Sequence, residues 1–206
     1  MPTLTQIKET KKGRFALFFD GEFAFSLDEE TYVKAHLNPD DVLEDWQIDE
    51  LRRQSDTRRA LDKAMDYLSL RDHAAGELYQ KLCRKFDAHS AAYAVAKAGE
   101  LGLLNDAGFA RRRAAELLRK RKSRRDILND LSLKGVDRDT AAEVVEELFA
   151  ADENGTDPEL ATARALVQRQ YAAKLAAGRR DLVAAALARR GFDRSVIRQV
   201  LEESEG

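Results

Sequence analysis

The chain has one cysteine, Cys83, and only 3 prolines among its 206 residues. A single thiol excludes an intrachain disulfide framework and any site built on several thiolates. So little proline, with only 11 glycines, also argues against low-complexity disorder and against a turn-rich sandwich. No run approaches the roughly 18 apolar residues that a membrane span needs. The opening residues, MPTLTQIKETKKG, lack the apolar core of a signal peptide, so the expectation is a cytoplasmic chain without a membrane partner. His36, His73 and His89 do not have the i, i+4 spacing of a ligand pair, and no metal is expected. Neither G-x-x-x-x-G-K nor G-x-G-x-x-G occurs, so no nucleotide cofactor is expected either. Cys83 reads as core or near-core, with no histidine arranged to activate it. An enzyme is the least supported class.

Charge is abundant, at 35 % of residues, and the formal net of −2 hides its segregation. Residues 1–56 carry a net −6, 57–104 +2, 105–125 +7, 126–159 −9 and 160–206 +4. A field of this kind steers charged partners locally even when the total is near zero.

The β signal is confined to the first 27 residues. Asp20-Gly21 between RFALFF and EFAFSL is the signature of a two-residue hairpin, whose type I′ turn needs φ > 0 at both positions. Period 2 puts Phe15, Leu17 and Phe19 on one face, and Phe23, Phe25 and Leu27 on one face of the return strand. These rings and Trp46 read as a small core. Asp28 is placed to cap a short helix that ends by Asn38-Pro39. From about Asp45 onward the signals are helical. Ser69 or Asp72, Asp87, Asn105 or Asp106, Ser123, Asp137, Asp157-Pro158 and Asp193 are successive helix starts, and a further helix follows Gly178. Residues 152–157 are the best linker candidate.

Three segments repeat. Glu77–Asp87, Asp126–Asp137 and Leu182–Asp193 each hold apolar residues four apart, a basic end, an apolar residue and a capping Asp. Gly135 and Gly191 fit the left-handed position that ends a helix, and the first copy lacks that glycine. Leu82, Leu131 and Leu187 align at spacings of 49 and 56. The expected fold is mainly α: three tandem three-helix repeats in a curved, elongated array, after a small N-terminal unit of β-hairpin and helix. The expected domains are 1–56, 57–104, 105–151 and 157–206.

Ser69-Leu70-Arg71, Glu77-Leu78 through Leu82, and Glu100-Leu101-Gly102-Leu103-Leu104-Asn105-Asp106 followed by Phe109-Ala110 resemble RecX, the family that regulates the RecA recombinase. The Lys134-Gly135-Val136 and Arg190-Gly191-Phe192 turns match its tandem repeats, and the resemblance covers roughly residues 57–203. It implies a non-enzymatic protein of DNA recombination and repair that binds in the groove of RecA–DNA filaments. In the family this lowers ATP hydrolysis and strand exchange and favours filament loss. The partner so implied is the RecA filament, with single- or double-stranded DNA open as a second contact, for a chain that is monomeric alone.

The residues that would carry binding are basic. Arg111, Arg112, Arg119, Lys120, Arg121, Lys122, Arg124 and Arg125 form the densest block, opposite an apolar line of Phe109, Ala110, Ala114, Leu117 and Leu118. Arg113 lies nearer that line. Lys122 to Arg125 spans a helix start, where backbone N–H groups favour a phosphate or a carboxylate. Arg179, Arg180, Arg189 and Arg190 make a smaller version in the third repeat, and Arg71 is placed to start the second helix of the first. Clustering nine bases against two acids is costly without an external anion. The same block equally describes a stand-alone DNA-binding helical protein, or a solvated face paired with the acidic run 137–159.

Overall fold

The structure, a computed structural model, describes residues 1–150, 155 and 157–204. Three strands, β1 (Leu4–Glu9), β2 (Phe15–Phe19) and β3 (Glu22–Leu27), precede the helices. Eleven helices follow among the described residues: α1 (Glu29–Ala35), α2 (Asp45–Leu70), α3 (Ala75–Leu82), α4 (Ala88–Glu100), α5 (Asp106–Arg119), α6 (Arg124–Leu133), α7 (Arg138–Leu148), α8 (Pro158–Gln170), α9 (Ala172–Ala176), α10 (Arg180–Arg189) and α11 (Arg194–Glu203). The chain divides into two compact units: Met1–Asp72 with Leu78–Leu104, and His73–Glu77 with Asn105–Gly206. Most of the expected linker 152–157 lies outside the described residues.

In the first unit the hairpin forms as expected, with φ of +49° at Asp20 and +87° at Gly21. β1 adds to it, giving an antiparallel sheet in the order β1-β2-β3. A bulge breaks the expected period on β3. Leu17 pairs with Phe25 but Phe18 pairs with Phe23, so Ala24 is the extra residue. Phe25 and Leu27 stay in the core while Phe23 turns out to solvent, edge-on to Phe18 at 5.8 Å. Trp46 is exposed as well, so neither ring belongs to the core assigned to it from the sequence. That core is Leu4, Leu17, Phe19, Phe25 and Leu27 against Leu37, Leu43, Ile48 and Leu51.

α2 is one unbroken helix of 26 residues across positions 56 and 57. Ser69 lies in its last turn and Arg71 is its C-cap, so neither Ser69 nor Arg71 starts α3. α2 packs on α4, with Ala60 and Ala64 against Leu78, Leu82, Ala91 and Ala94. The turn after α3, which lacks the repeat's glycine, has no left-handed residue. Cys83 sits there on the surface, contrary to the core placement: its N–H still bonds the Tyr79 carbonyl, so it lies on the exposed side of the turn with Tyr79 while Leu78 and Leu82 face the core. Its thiol hydrogen-bonds Tyr79 and raises the phenol above its usual range.

The second unit holds two helical cores. α5 packs on α7 around Phe109, Ala110, Ala114, Ile127, Leu131, Val144 and Val145; α8 packs on α11 around Leu160, Leu166, Val183, Leu187, Val196 and Val200. The caps expected at Asn105, Ser123, Asp137, Asp157 and Asp193 all accept a backbone N–H of their helix, as Asp87 does in the first unit. The aligned Leu82, Leu131 and Leu187 are each fully buried.

Candidate functional site

Within the second unit, one arrangement occurs twice. At the start of α3, the Ala75 N–H donates to Asp106 Oδ1 at 2.9 Å. The turn that ends α6 sits on the same helix start: Lys134 Nζ donates to Glu77 Oε1 at 2.7 Å. Gly135, at φ +72°, lies so close that a Cβ there would stand 2.6 Å from Gly76 Cα. At the start of α6, the Arg124 N–H donates to Glu159 Oε1 at 3.1 Å. The turn that ends α10 covers it: Ser123 Oγ donates to the Arg190 carbonyl at 2.7 Å. A Cβ on Gly191, at φ +81°, would stand 2.8 Å from Ser123 Oγ and 3.4 Å from Arg125 Cβ. Each seat therefore joins a helix start, a carboxylate from the first turn of a later helix, and a glycine turn. Glycine is needed at both turns for two reasons, the left-handed backbone and the lack of room for a methyl.

At the second seat the α6 N-terminus, expected to favour a phosphate or a carboxylate, is occupied by a carboxylate of the chain itself, Glu159. That carboxylate is buried, and desolvation pushes its pKa up despite the Arg124 N–H and guanidinium. In exchange, the seat brings Arg125 of α6 beside the Arg189-Arg190 turn, positions more than sixty residues apart. Near the first seat, buried His73 lies with Nδ1 2.8 Å from Glu77 Oε2. Sequence reasoning missed His73, Glu77, Asp106, Lys134 and Glu159, since no local pattern marks contacts this distant in the chain.

The basic residues fall into two groups. Several are engaged internally. Arg111 Nε donates to Glu147 at 3.1 Å, Lys120 pairs with Glu116, and Lys122 Nζ lies 3.1 Å from Asp126 Oδ2. Arg113 makes a two-pronged pair with Asp130 at 2.8 Å on both nitrogens, which lowers the Asp130 pKa and raises its own. The Arg124 guanidinium lies 5.1 Å from the Phe149 ring centroid, and Arg190 Nη2 donates to Gln170 at 2.9 Å. So Arg111 does meet the acidic run, as the paired-face reading expects. By contrast, Arg119, Arg121, Arg125, Arg179 and Arg189 form no ion pair among the described residues. Arg112 and Arg180 have interactions of their own.

Arg121 stands out within that second group. The end of α5 is a Schellman turn: Lys122 N–H donates to the Leu117 carbonyl at 3.1 Å and Arg121 N–H to that of Leu118 at 2.8 Å. The same pair of bonds closes the turns at Gly102, Gly135, Gly178 and Gly191, all left-handed. At this one position the left-handed residue is an arginine, with φ of +58°. A side chain there costs about 1 kcal/mol over glycine.

The chain matches the RecX N-terminal domain over residues 2–44, the first RecX three-helix domain over 60–97 and the second over 105–145. It is 31 % identical to the regulatory protein RecX of Lactobacillus gasseri, over 98 % of this chain and 75 % of that one. The Bacillus velezensis RecX is 29 % identical over 100 % of this chain and 78 % of its own length. Two crystal structures share the fold: one of a regulatory protein RecX at TM-score 0.68 and 19 % identity, over 98 % of this chain and all of that one, and one of RecX from Lactobacillus salivarius at 0.61 and 19 %, over 73 % of this chain and 97 % of that one. With its small sheet, its helical repeats and these matched domains, the chain belongs to the RecX family of regulatory proteins.

Proposed function

We propose that this chain regulates RecA by binding in the groove of RecA–DNA filaments, lowering ATP hydrolysis and strand exchange and promoting filament loss. The observation that carries this reading is Arg121. A chain that ends four other helices with glycine holds a guanidinium here in a left-handed backbone. The other helix ended by a left-handed non-glycine residue is α1, at His36. Arg121 is the one arginine so placed among the described residues, so the strain kept there points to a use for that side chain. Arg121 is flanked by Arg119 and Arg125, which also form no internal ion pair, and Arg125 is held beside Arg189-Arg190. Together they offer guanidinium forks to DNA phosphates or to carboxylates of RecA. Arg179 extends the set, whereas Arg111, Arg112, Lys120, Lys122, Arg124, Arg180 and Arg190 have interactions within the chain and contribute less. Successive modules at 57–104, 105–151 and 157–206, after the 1–56 extension, would each add effective concentration to the next.

The test is RecA's single-strand-dependent ATP hydrolysis, with the chain titrated from far below RecA to equal amounts. Loss of hydrolysis at a small fraction of RecA is expected, weakened when Arg119, Arg121 and Arg125 are replaced together by Ala, Gly and Ala. No effect at any ratio from the folded protein would overturn the reading. Inhibition only once the chain coats the strand would favour the stand-alone DNA-binding alternative, in which affinity falls steeply with salt.

A further inference from the structure

The three aligned turns differ in what they cover. Lys85, Lys134 and Arg190 stand at equivalent positions, three residues after Leu82, Leu131 and Leu187. Lys134 is engaged by Glu77, and the Arg190 carbonyl accepts the Ser123 hydroxyl. The next residues, Gly135 and Gly191, lie against helix starts. In the first repeat that place is held by Phe86, which packs against its own core, and no left-handed residue occurs there. This turn therefore has neither the backbone nor the small residue that docks the other two. Its cations stay uncommitted: Lys81, Arg84 and Lys85 form no ion pair among the described residues. Rings stand among them. Lys81 Nζ and Lys63 Nζ each lie 5.1 Å from the Tyr67 ring centroid, and the Arg59 guanidinium lies 5.7 Å from that of Phe86. Tyr79 is exposed on the same helix end. The neighbouring carboxylates are engaged, Asp56 by Arg59, Asp62 by Arg58, Asp66 by Lys63, and Asp87 by the Ser90 N–H and hydroxyl.

We propose that the turn after α3 binds single-stranded nucleic acid, with Lys81, Arg84 and Lys85 on backbone phosphates and the Tyr79 ring against an unpaired base. Three uncommitted cations on one turn suit a polyanion. The exposed ring beside them selects a strand whose bases are open to stack, since every base has a face for it. An acidic protein segment offers carboxylates but nothing flat to meet Tyr79. The inference does not need the RecA reading. It concerns the first unit, none of whose residues belongs to the basic block around Arg121, and it concerns a bare strand.

Cys83, the only cysteine, is exposed on this turn, so its alkylation reports the surface in the intact chain. The reagent is uncharged N-ethylmaleimide, and the probes are oligo(dT) and poly-glutamate. The readout is the ratio of alkylation rates without and with the probe. Oligo(dT) alone should protect Cys83 saturably. Affinity read from the protection should fall about tenfold in Tyr79→Ala and hold in Tyr79→Phe, which keeps the ring. In Arg84→Gln/Lys85→Gln, the slope of log affinity against log salt should become shallower by about 1.4. These positions are exposed, so the variants should fold; far-ultraviolet circular dichroism checks this. Replacing Arg119, Arg121 and Arg125 should leave the protection in place. No protection by oligo(dT) overturns the proposal, as does equal protection by poly-glutamate. Protection lost in the Arg119, Arg121 and Arg125 variant but kept in Arg84→Gln/Lys85→Gln would also overturn it, assigning the strand to the second unit. RecA is absent from the assay, so failure here stands apart from failure of the RecA reading.

Discussion

The two glycine seats of the second unit solve one packing problem with different tolerances. At the start of α3, glycine meets glycine: Gly135 lies on Gly76, backbone against backbone, beside the His73–Glu77–Lys134 cluster. At the start of α6, Gly191 lies on the hydroxyl of Ser123, which is also the helix cap. A hydroxyl can rotate or be deleted. A backbone cannot yield without moving a whole helix. The geometry is shared, but only the first seat has no side chain whose removal could relieve it.

The largest expected effect follows from that difference. Gly135→Ala adds a left-handed strain of about 1 kcal/mol and an overpacking of about 2 kcal/mol, so a loss near 3 kcal/mol should appear in urea unfolding. Gly191→Ala carries the same strain with a softer clash, for about 2 kcal/mol in all. The contrast sharpens in a double variant. Ser123→Ala alone should cost about 1 kcal/mol through the lost cap, yet combined with Gly191→Ala the total should fall short of the sum, because the clash partner is gone. Equal costs for the two glycine variants, or strict additivity at 191, would break the distinction drawn between the seats.

Much of the second unit was legible because its rules are local. The caps at Asn105, Ser123, Asp137 and Asp193 act within three residues, and the left-handed roles of Gly135 and Gly191 follow from the end of a helix and the Asp that opens the next. The seats were not legible. Ala75 to Asp106 spans 31 residues and Ser123 to Arg190 spans 67, and nothing in either segment announces its partner. The same limit explains the misplaced Trp46 and Phe23. Period 2 assigns faces correctly until a bulge intervenes, and the one at Ala24 leaves no mark in composition. The basic block was legible as charge, but not which cations the chain already neutralises. Arg111 looks like Arg119 and Arg121 in sequence, and only packing separates it, through Glu147; Lys120 was separable locally, since Glu116 lies four residues before it on the same helix.

Arg121 reverses the sign of the glycine argument. Where glycine is native, a side chain destabilises; here the native residue is the strained one. Arg121→Gly should therefore raise stability by about 1 kcal/mol. Under the proposed function it should at the same time weaken inhibition of RecA-catalysed ATP hydrolysis, a gain and a loss in one variant. A stabilised variant with undiminished inhibition would leave the arginine without a role in binding.

The smallest effect tests the seat at α6 through its buried carboxylate. Burial raises the Glu159 pKa above the ordinary value of 4.5, so the folded state holds its proton more tightly than the unfolded chain does. The contribution is then complete below the ordinary value and is lost as pH rises through the raised one. Asp130, lowered by its pair with Arg113, has the opposite slope, since its contribution is lost as pH falls. Glu159→Gln keeps an oxygen for the Arg124 N–H and removes the desolvated charge. The variant should match or slightly exceed the parent at neutral pH, by a few tenths of a kcal/mol, and should lose the parent's decline in stability just above pH 4.5. A variant clearly weaker at neutral pH would show that the ionised carboxylate itself holds the α6 start. The second seat would then rest on charge, as the first does through Lys134 and Glu77.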